Sequence, residues 1–320
     1  MSVQPKPRPF LLDLLRRLVG ERPLGAASAA VILLLAVVAV LADVLAPFPF
    51  AEMHLVDRLG DPSATYLLGT DQLGRDVLSR LVYGARTSLG VGLAATVLST
   101  LVALLVGGVA GFVGGKLDIL VQRFVDAWMS FPGLLLLLTI ITIVGQGILQ
   151  IIVVLGVTSG IGNSRVIRSA VIGIKENAYF ESARAIGGGV WHTLRRHVWP
   201  NITAPVIVVF SITIGGIIIA EASLSFLGFG LPTTVPSWGG MLSREGRQFM
   251  EMAPRLAMWP GVALTLVVYC LNMFGDAVRD LLDPRLRGSG SGAAGLGTGG
   301  MSARAIEGAR RALQKANRST

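Results

Sequence analysis

Charged residues are scarce in this chain. Asp, Glu, Lys and Arg together make up 15% of the 320 residues, whereas hydrophobic residues make up 52%. The mean hydropathy is correspondingly high, at +0.66. A soluble domain usually carries charge on about a quarter of its residues, so this composition excludes an ordinary soluble protein. It predicts a polytopic membrane protein instead.

Cysteine is almost absent as well. Cys270 is the single cysteine, and it lies inside the last apolar run of the sequence. One thiol can form neither a disulfide framework nor a thiolate metal cluster. The sequence therefore predicts no metal site.

The chain also lacks a phosphate-binding loop. Residues 107–117, GGVAGFVGGKL, are glycine-rich and contain Lys116, but Ala110 occupies the position of the first required glycine. Leu117 follows the lysine where Ser or Thr is needed to bind magnesium. We therefore expect no nucleotide or other cofactor on this chain. The glycines of the stretch predict close helix packing instead; they are Gly107, Gly111, Gly114 and Gly115.

Apolar runs long enough to cross a membrane are abundant. A hydrocarbon layer roughly 30 Å thick needs about twenty helical residues. Such runs lie at 24–45, 88–113, 125–144, 148–174, 202–226 and 256–274. They predict an all-α integral membrane protein with about six spans. The third and fourth runs are separated only by Gly145, Gln146 and Gly147, so a five-helix alternative, with the termini on opposite sides, stays open.

Basic residues near the ends of the spans indicate the orientation. Lys and Arg are retained on the cytoplasmic side. They cluster before the first span and before the fifth, at Lys6, Arg8, Arg16, Arg17, Arg22, Arg165, Arg168, Lys175, Arg184, Arg195 and Arg196. Both termini are therefore predicted to be cytoplasmic. The loops at about 47–84 and 227–255 are predicted to be external. The net charge of +9 then reflects topology and contact with anionic membrane lipid, and it gives nucleic-acid binding little support.

The N-terminal segment, 1–23, is basic and partly amphipathic. Residues 10–19 place apolar side chains on one helical side, which suits a helix at the membrane interface. The alternative is the leader of a cleaved signal peptide. The apolar run that follows is longer than the 7–15 residues usual for such a peptide, so an uncleaved first span is favoured.

Residues 177–201, NAYFESARAIGGGVWHTLRRHVWPN, form a polar and basic stretch between two apolar runs. Small residues follow Glu181 and would allow another protein to approach closely. Gly187 begins a run of three glycines, which can turn one helix sharply toward a second. Pro200 suits a bend or the first turn of the next span. The pattern predicts a helix, turn and helix at the membrane surface; an ordinary basic loop is the alternative.

The spacing of Glu181-Ser182-Ala183, Gly187 and Pro200 resembles the E-A-A…G…P signature of ATP-binding cassette importer permeases. Three more stretches resemble the second, C-type, permease subunit of dipeptide and oligopeptide (peptide/nickel) importers. They are LGTDQLGRDVLSRLVYGARTSLGVGL at 68–93, SLSFLGFGLPTTVPSWGGML at 223–242 and FGDAVRDLLDPRLR at 274–287. Together with the 181–200 signature, these stretches are distributed in order over most of the range 24–287.

The resemblance implies the type I importer permease fold in the cell (plasma or inner) membrane. It implies a homologous second permease subunit, with the substrate path between the two chains. Two ATP-binding cassette ATPases, which carry ATP and Mg²⁺, and an extracytoplasmic solute-binding protein complete the assembly. Carried over by residue, Glu181, Ser182, Ala183 and Gly187 would seat the coupling loop, about 176–200, in the ATPase. This chain would be a non-catalytic permease subunit that imports dipeptides, oligopeptides or a related small solute.

Acids inside apolar runs are costly and therefore informative. Glu221 lies toward the external end of the fifth span, where two interpretations stay open: it faces the path or an external gate, or it sits at headgroup level paired with an arginine such as Arg244. Small polar residues that would either line the path or bond to their own helix are Thr139, Thr142, Thr158, Ser159, Ser211 and Thr213. Asp118 and Asp126, which flank Arg123, are expected to form ion pairs within their own helix.

Residues 288–320 begin with GSGSGAAGLGTGG, a flexible linker, and end in a basic stretch. A short helix on the cytoplasmic leaflet and a disordered tail are both compatible with it.

Two other function classes remain as alternatives to the importer subunit. A self-sufficient secondary transporter or channel would not need the helix, turn and helix predicted at 181–200. A membrane scaffold would bind partners without an ATPase.

Overall fold

A computed structural model describes residues 10–175, 199–232 and 234–282 of the chain. Its helices are α1 (Phe10–Glu21), α2 (Pro23–Val40), α3 (Ala42–Leu45), α4 (Val77–Val113), α5 (Gly115–Met129), α6 (Gly133–Val144), α7 (Ile148–Lys175), α8 (Thr203–Phe226), α9 (Trp238–Gly240), α10 (Gly246–Gln248) and α11 (Arg255–Leu282). Short 3₁₀ turns lie at Leu55–Asp57 and Trp199–Ile202, and a π-helical turn spans Met241–Glu245 between α9 and α10. The chain divides into two units, 1–279 and 280–320; of the second, only the last residues of α11 are described.

Five of these helices, α2, α4, α7, α8 and α11, are long and apolar enough to cross a membrane. The third predicted span differs from the expectation of a straight helix, because α5 and α6 meet at 92°. Pro132 immediately precedes α6, and a proline disfavours helical geometry in the residue before it. If this bent pair counts as one span, the described part of the chain has six.

One contact between the first and last long helices decides between five and six spans. Gly25, near the start of α2, lies so close to Ala277, near the end of α11, that a Cβ on Gly25 would be 2.3 Å from the Cβ of Ala277. The first and last long helices therefore begin and end at the same end of the bundle. That arrangement requires an even number of crossings, as the six-span prediction has it.

The backbones of α4 and α7 approach each other at glycines. A Cβ on Gly107 of α4 would lie 2.1 Å from the Ser164 carbonyl oxygen, and one on Gly160 of α7 would lie 2.7 Å from the Ser99 carbonyl oxygen. Gly111 is similarly close to the Arg168 carbonyl oxygen. Small residues permit this approach, which lets helices gain van der Waals contact in lipid. The packing predicted for Gly107 and Gly111 is confirmed.

Gly114 and Gly115 form a turn and do not form a packing contact between helices. They have φ angles of 71° and 62°, in the left-handed region that favours glycine. They form the sharp turn between α4 and α5, and they are not packing positions. The sequence pattern did not separate these two uses, because both need a residue without a side chain.

Helix α4 begins at Val77, inside the stretch predicted as the external loop 47–84. Asp76 caps it by accepting a hydrogen bond from the Ser79 backbone N–H at 2.8 Å. Asp71 organises the turn before it, since its carboxylate accepts from the backbone N–H groups of Leu73 and Arg75. Capping side chains satisfy donors that a helix start leaves unpaired. A capped turn thus starts this helix, which is the longest in the described part of the chain.

Two of the apolar clusters lie toward opposite ends of the contact between α4, α7 and α8. The outer cluster joins α4, α6, α7 and α8 through Val91, Ala95, Ile141, Ile151, Val154, Leu155, Ile217, Leu224 and Leu231. The inner cluster joins α4, α7 and α8 through Ala103, Ile167, Val171, Ile202 and Val209. The inner end is the one next to the basic loop 176–198, so the charge pattern predicts that it faces the cytoplasm.

We expect Gly107→Ala to destabilise the chain by about 1–3 kcal/mol, because its methyl group would collide with the backbone of α7. Gly108→Ala is the matched control, since a Cβ at Gly108 meets nothing within 4 Å. Both changes gain the same helix propensity. Thermal denaturation of the two purified variants in detergent compares them. Equal melting temperatures would show that the α4–α7 contact tolerates a wider separation.

Candidate functional site

Most residues predicted to couple this chain to an ATPase lie outside the described residues. Glu181, Ser182, Ala183 and Gly187 fall between α7 and the 3₁₀ turn Trp199–Ile202, in a stretch for which the structure gives no placement. Pro200 lies in that 3₁₀ turn. What the structure does describe is the two segments that hold the ends of the loop 176–198, and they form the candidate site.

The N-terminal flank of the loop is Lys175, the last residue of α7. Its Nζ donates hydrogen bonds to the carbonyl oxygens of Phe112, at 2.7 Å, and Gly111, at 3.2 Å. These carbonyls belong to the last turn of α4, where a helix has unpaired acceptors and a partial negative charge. The ammonium group also lies 5.9 Å from the centre of the Phe112 ring. Lys175 therefore fastens the end of α7 to the end of α4.

The C-terminal flank is the turn Trp199–Ile202, which leads into α8. Ile202 is only 1% exposed and packs into the inner cluster with residues of α4 and α7. The hydroxyl of Thr203 donates to the Trp199 carbonyl oxygen at 3.2 Å, which holds the turn to the first residue of α8. Pro200 thus stands where a residue without a backbone N–H is tolerated, just before a long helix.

Both flanks of the loop meet in the inner cluster. Val171, four residues before Lys175, is buried there on the N-terminal side of the loop. Ile202 is buried there on the C-terminal side. The cluster contains residues of α4, α7 and α8. Packed cores move as units and do not deform continuously. The two flanks of the loop are therefore joined to the same packed group of side chains from three long helices.

At the outer end, Glu221 of α8 is fully buried. Its Oε1 accepts a hydrogen bond from the Ser225 hydroxyl at 2.8 Å, and the Ser237 hydroxyl is another neighbour of the carboxyl group. Oε2 is enclosed and has no hydrogen-bond partner among the described residues. The carboxyl group is surrounded by protein, and both interpretations of Glu221, a path or gate residue and a headgroup-level acid, stay predictions. The side chain of Arg244 lies outside the described part of the structure.

The segment 237–240 packs between α4 and α8 beside Glu221. Trp238 is 1% exposed, and its indole N–H donates to the Leu81 carbonyl oxygen at 3.0 Å. Its backbone N–H donates to the Ser88 hydroxyl at 3.2 Å. Gly239 lies against the backbone of Ala222, where a Cβ would be 2.5 Å from that residue's Cα. This segment closes the outer end of the α4–α8 interface.

A cavity of about 430 Å³ opens next to this closure. Residues from five parts of the chain line it, among them Gln72, Arg80, Gln146, Ser225 and Gln248. Arg75 also lines it, and its Nε pairs with Asp71 Oδ2 at 2.6 Å. Ser225 is shared between the cavity and Glu221. The buried acid is therefore one hydrogen bond away from the cavity wall.

Residues 103–288 match the protein family described as "Binding-protein-dependent transport system inner membrane component". The match covers more than half of the chain. The chain belongs to this permease family. It is 37% identical over 273 residues to the "Glutathione transport system permease protein GsiD" of Pectobacterium atrosepticum, covering 85% of this chain and 90% of that protein. It is 36% identical over 250 residues to the "Dipeptide transport system permease protein DppC" of Alkalihalophilus pseudofirmus, covering 78% and 82%.

The permease also shares its fold with a chain of the MetNI methionine ABC transporter, solved in an inward-facing conformation. The TM-score is 0.50 at 21% identity, and the alignment covers 64% of the permease and 96% of that chain. The predicted type I importer permease fold and membrane location are therefore confirmed. Membership of the family also selects the permease over a self-sufficient carrier and a scaffold.

Sequence reasoning missed the polar residues that connect helices inside the permease. Of the hydroxyl residues considered for the path, Thr139, Thr142, Thr158 and Ser211 bond to carbonyls of their own helices. Thr213 instead accepts from Asn163 Nδ2 at 2.9 Å, which ties α8 to α7. Asn163 is an amide within a helix that is long and apolar enough to cross a membrane. An amide inside a predicted span was the available signal, because a buried amide without a hydrogen-bond partner is costly.

We expect Lys175→Met to lower the stability of the permease by about 1–3 kcal/mol, because two carbonyls at the end of α4 lose a charged donor. The methionine keeps the apolar stem. Lys116→Met is the matched control, since Lys116 is exposed at the start of α5. Thermal denaturation in detergent measures both. If the two variants melt at the same temperature, Lys175 does not fasten α7 to α4.

Proposed function

We propose that the permease forms half of the translocation path of an ATP-driven importer for dipeptides, oligopeptides or a related small solute such as glutathione. Its similarity to permeases named for glutathione and dipeptide transport, at 37% and 36% identity over most of the chain, supports this substrate range. The other half of the path belongs to a homologous second permease subunit.

The proposed partners follow from the family. Its description names a binding-protein-dependent system, so an extracytoplasmic solute-binding protein delivers the substrate. Two ATP-binding cassette ATPases bind ATP and Mg²⁺ at the cytoplasmic face. The permease itself binds neither and catalyses no reaction. Its contribution is to convert the closure of the ATPases into a change of access.

The loop 176–198 performs this conversion. Glu181, Ser182, Ala183 and Gly187 seat it in the ATPase, and Pro200 joins it to α8. The observation that carries the proposal is the anchoring of both flanks in the inner cluster, with Lys175 on α4 and Ile202 between α4 and α7. A loop held in this way acts on α4, α7 and α8 as one body. ATP binding then biases the bundle between two states.

Glu221 is proposed as part of the closure at the outer end. Its carboxyl group bonds to Ser225, and Ser225 lines the outer cavity. A buried acid beside a packed closure and a cavity is placed to respond when the closure opens. This role rests on the hydrogen bond of Glu221 to Ser225 and on its place beside the segment 237–240.

The coupling role predicts the effect of a charge at the contact surface. We expect Ala183→Asp and Gly187→Asp to reduce solute uptake at least tenfold, because a buried unpaired carboxylate disrupts a close interface. ATPase that co-purifies with the native permease should be lost or uncoupled. Uptake by proteoliposomes and ATP hydrolysis by the purified complex are the measurements.

Ala305→Asp in the C-terminal segment is the matched control, since it makes the same substitution outside the region of family resemblance. It should leave uptake and hydrolysis unchanged. Normal transport by the two loop variants would overturn the coupling assignment. Failure of any ATPase to associate with the native permease would overturn the importer proposal itself.

The substrate range has its own test. We expect a complex reconstituted with its solute-binding protein to take up a labelled dipeptide or labelled glutathione, with unlabelled peptide competing. Uptake should require ATP and the binding protein. Uptake of neither solute by a complex that hydrolyses ATP would exclude this substrate class while leaving the importer architecture intact.

A further inference from the structure

Helix α5 is poorly held by apolar packing. Of its 15 residues only Val125 is buried. It leaves α4 through the left-handed glycines Gly114 and Gly115, and it meets α6 at 92° beyond Ser130. A helix bounded by a glycine turn on one side and a proline-induced bend on the other has freedom to change its angle unless side chains restrain it.

Two ion pairs supply that restraint, and both connect α5 to α7. Asp118 accepts from Arg168 through both carboxylate oxygens, at 2.5 Å from Nε and 2.6 Å from Nη2. Asp126 pairs with Arg165. The pairing expected inside α5 is minor, since Arg123 is 80% exposed and lies 3.8 Å from Asp126. The expected pair inside α5 is thus present between Arg123 and Asp126, but the two pairs to α7 were not anticipated, because sequence spacing reveals neighbours on one helix and not those on the next.

The two pairs differ in strength. Side-chain exposure is 29% for Arg168 and 14% for Asp118, against 41% and 49% for Arg165 and Asp126. Exposed ion pairs contribute little, whereas a bidentate, part-buried pair is stronger and fixes orientation as well. The Asp118–Arg168 pair, which we term the clasp, is therefore the principal link between α5 and α7.

The clasp lies on the part of α7 that carries the loop 176–198. Arg168 is about two helical turns before Lys175, and its backbone is in close contact with Gly111 of α4. At its other end α5 continues through the bend into α6. Helix α6 contributes Ile141 to the outer cluster, together with residues of α4, α7 and α8. A continuous chain of contacts thus leads from the loop through the clasp, α5 and α6 to the outer cluster.

We propose that Asp118 and Arg168 are positioning residues that make the α5–α6 pair follow the loop-bearing end of α7 during transport. This inference rests on the proposed function. When the ATPases displace the loop, the clasp transfers the movement to α5, and the bend converts it into a change in the angle of α6. Without the clasp, α7 would move and α5 would lag behind it.

The test is a charge-exchange series in the complete complex. Asp118→Arg and Arg168→Asp each place two like charges in contact, and the double variant restores an opposite pair with exchanged positions. Asp118→Asn removes the charge and keeps the shape. We expect each single variant to reduce uptake at least tenfold while ATP hydrolysis continues, and the double variant to recover at least a third of native uptake. Arg123→Gln is the control, with less than a twofold effect.

A second readout separates positioning from mere stability. Cys270 is replaced by Ser, and spin labels are placed at the exposed residues Lys116 of α5 and Val166 of α7. Their separation should stay constant between the nucleotide-free and the ATP-trapped complex when the clasp is native. In Asp118→Asn it should broaden or lengthen in the trapped state. If Asp118→Arg and Arg168→Asp fail to assemble, the Asp118→Asn variant decides between a positioning role and a structural role.

The outcomes are distinct. If the native complex transports and Asp118→Asn transports equally well, the clasp proposal is overturned and the importer proposal stands. A second outcome is uptake that falls only in proportion to the amount of assembled complex, while the distances between the labels stay unchanged. That result would assign the pair a purely structural role, and it would also overturn the clasp proposal. A native permease that associates with no ATPase overturns both proposals.

Discussion

The backbones of α4 and α7 lie so close together that a single methyl group at Gly107 would collide with the carbonyl oxygen of Ser164. Lipid tails are as apolar as leucine, so burial alone does not drive membrane helices together, and van der Waals contact at small residues takes its place. The other features described here are built on this contact. Helix α8 packs against both partners in the inner and outer clusters, and the flanks of the loop 176–198 are fixed where the α4–α7 contact ends.

Polar contacts in the bundle differ in kind between its inner end, its outer end and its middle. At the inner end, Lys175 and the clasp use full charges near the predicted cytoplasmic boundary, where desolvation costs less than in the membrane centre. At the outer end, Glu221, Ser225 and Trp238 use hydrogen bonds in an enclosed site. In the middle, the amide of Asn163 joins α7 to α8 through Thr213.

Much of the fold could be predicted because the membrane limits the available structures. Backbone groups in lipid must be satisfied internally, so apolar runs of the right length become helices. The runs at 24–45, 148–174, 202–226 and 256–274 each contain a long helix in the structure. The 125–144 run misled, because hydropathy measures composition and does not register the bend that Pro132 imposes between α5 and α6. Family resemblance named the coupling residues from Glu181 to Gly187, and their contacts remain predictions because they lie outside the described residues.

Taken by itself, the sequence determined the class of the protein, its likeness to importer permeases and the approximate number of spans, and it predicted the side on which the basic loops lie. These follow from composition, run length and local spacing, which are properties of neighbouring residues. Only the tertiary structure decided that Asp118 and Asp126 pair with α7, that Glu221 is enclosed by protein, and that the first and last long helices share an end. Each of these depends on residues far apart in the chain, brought together by helix packing, and no local pattern specifies which faces will meet.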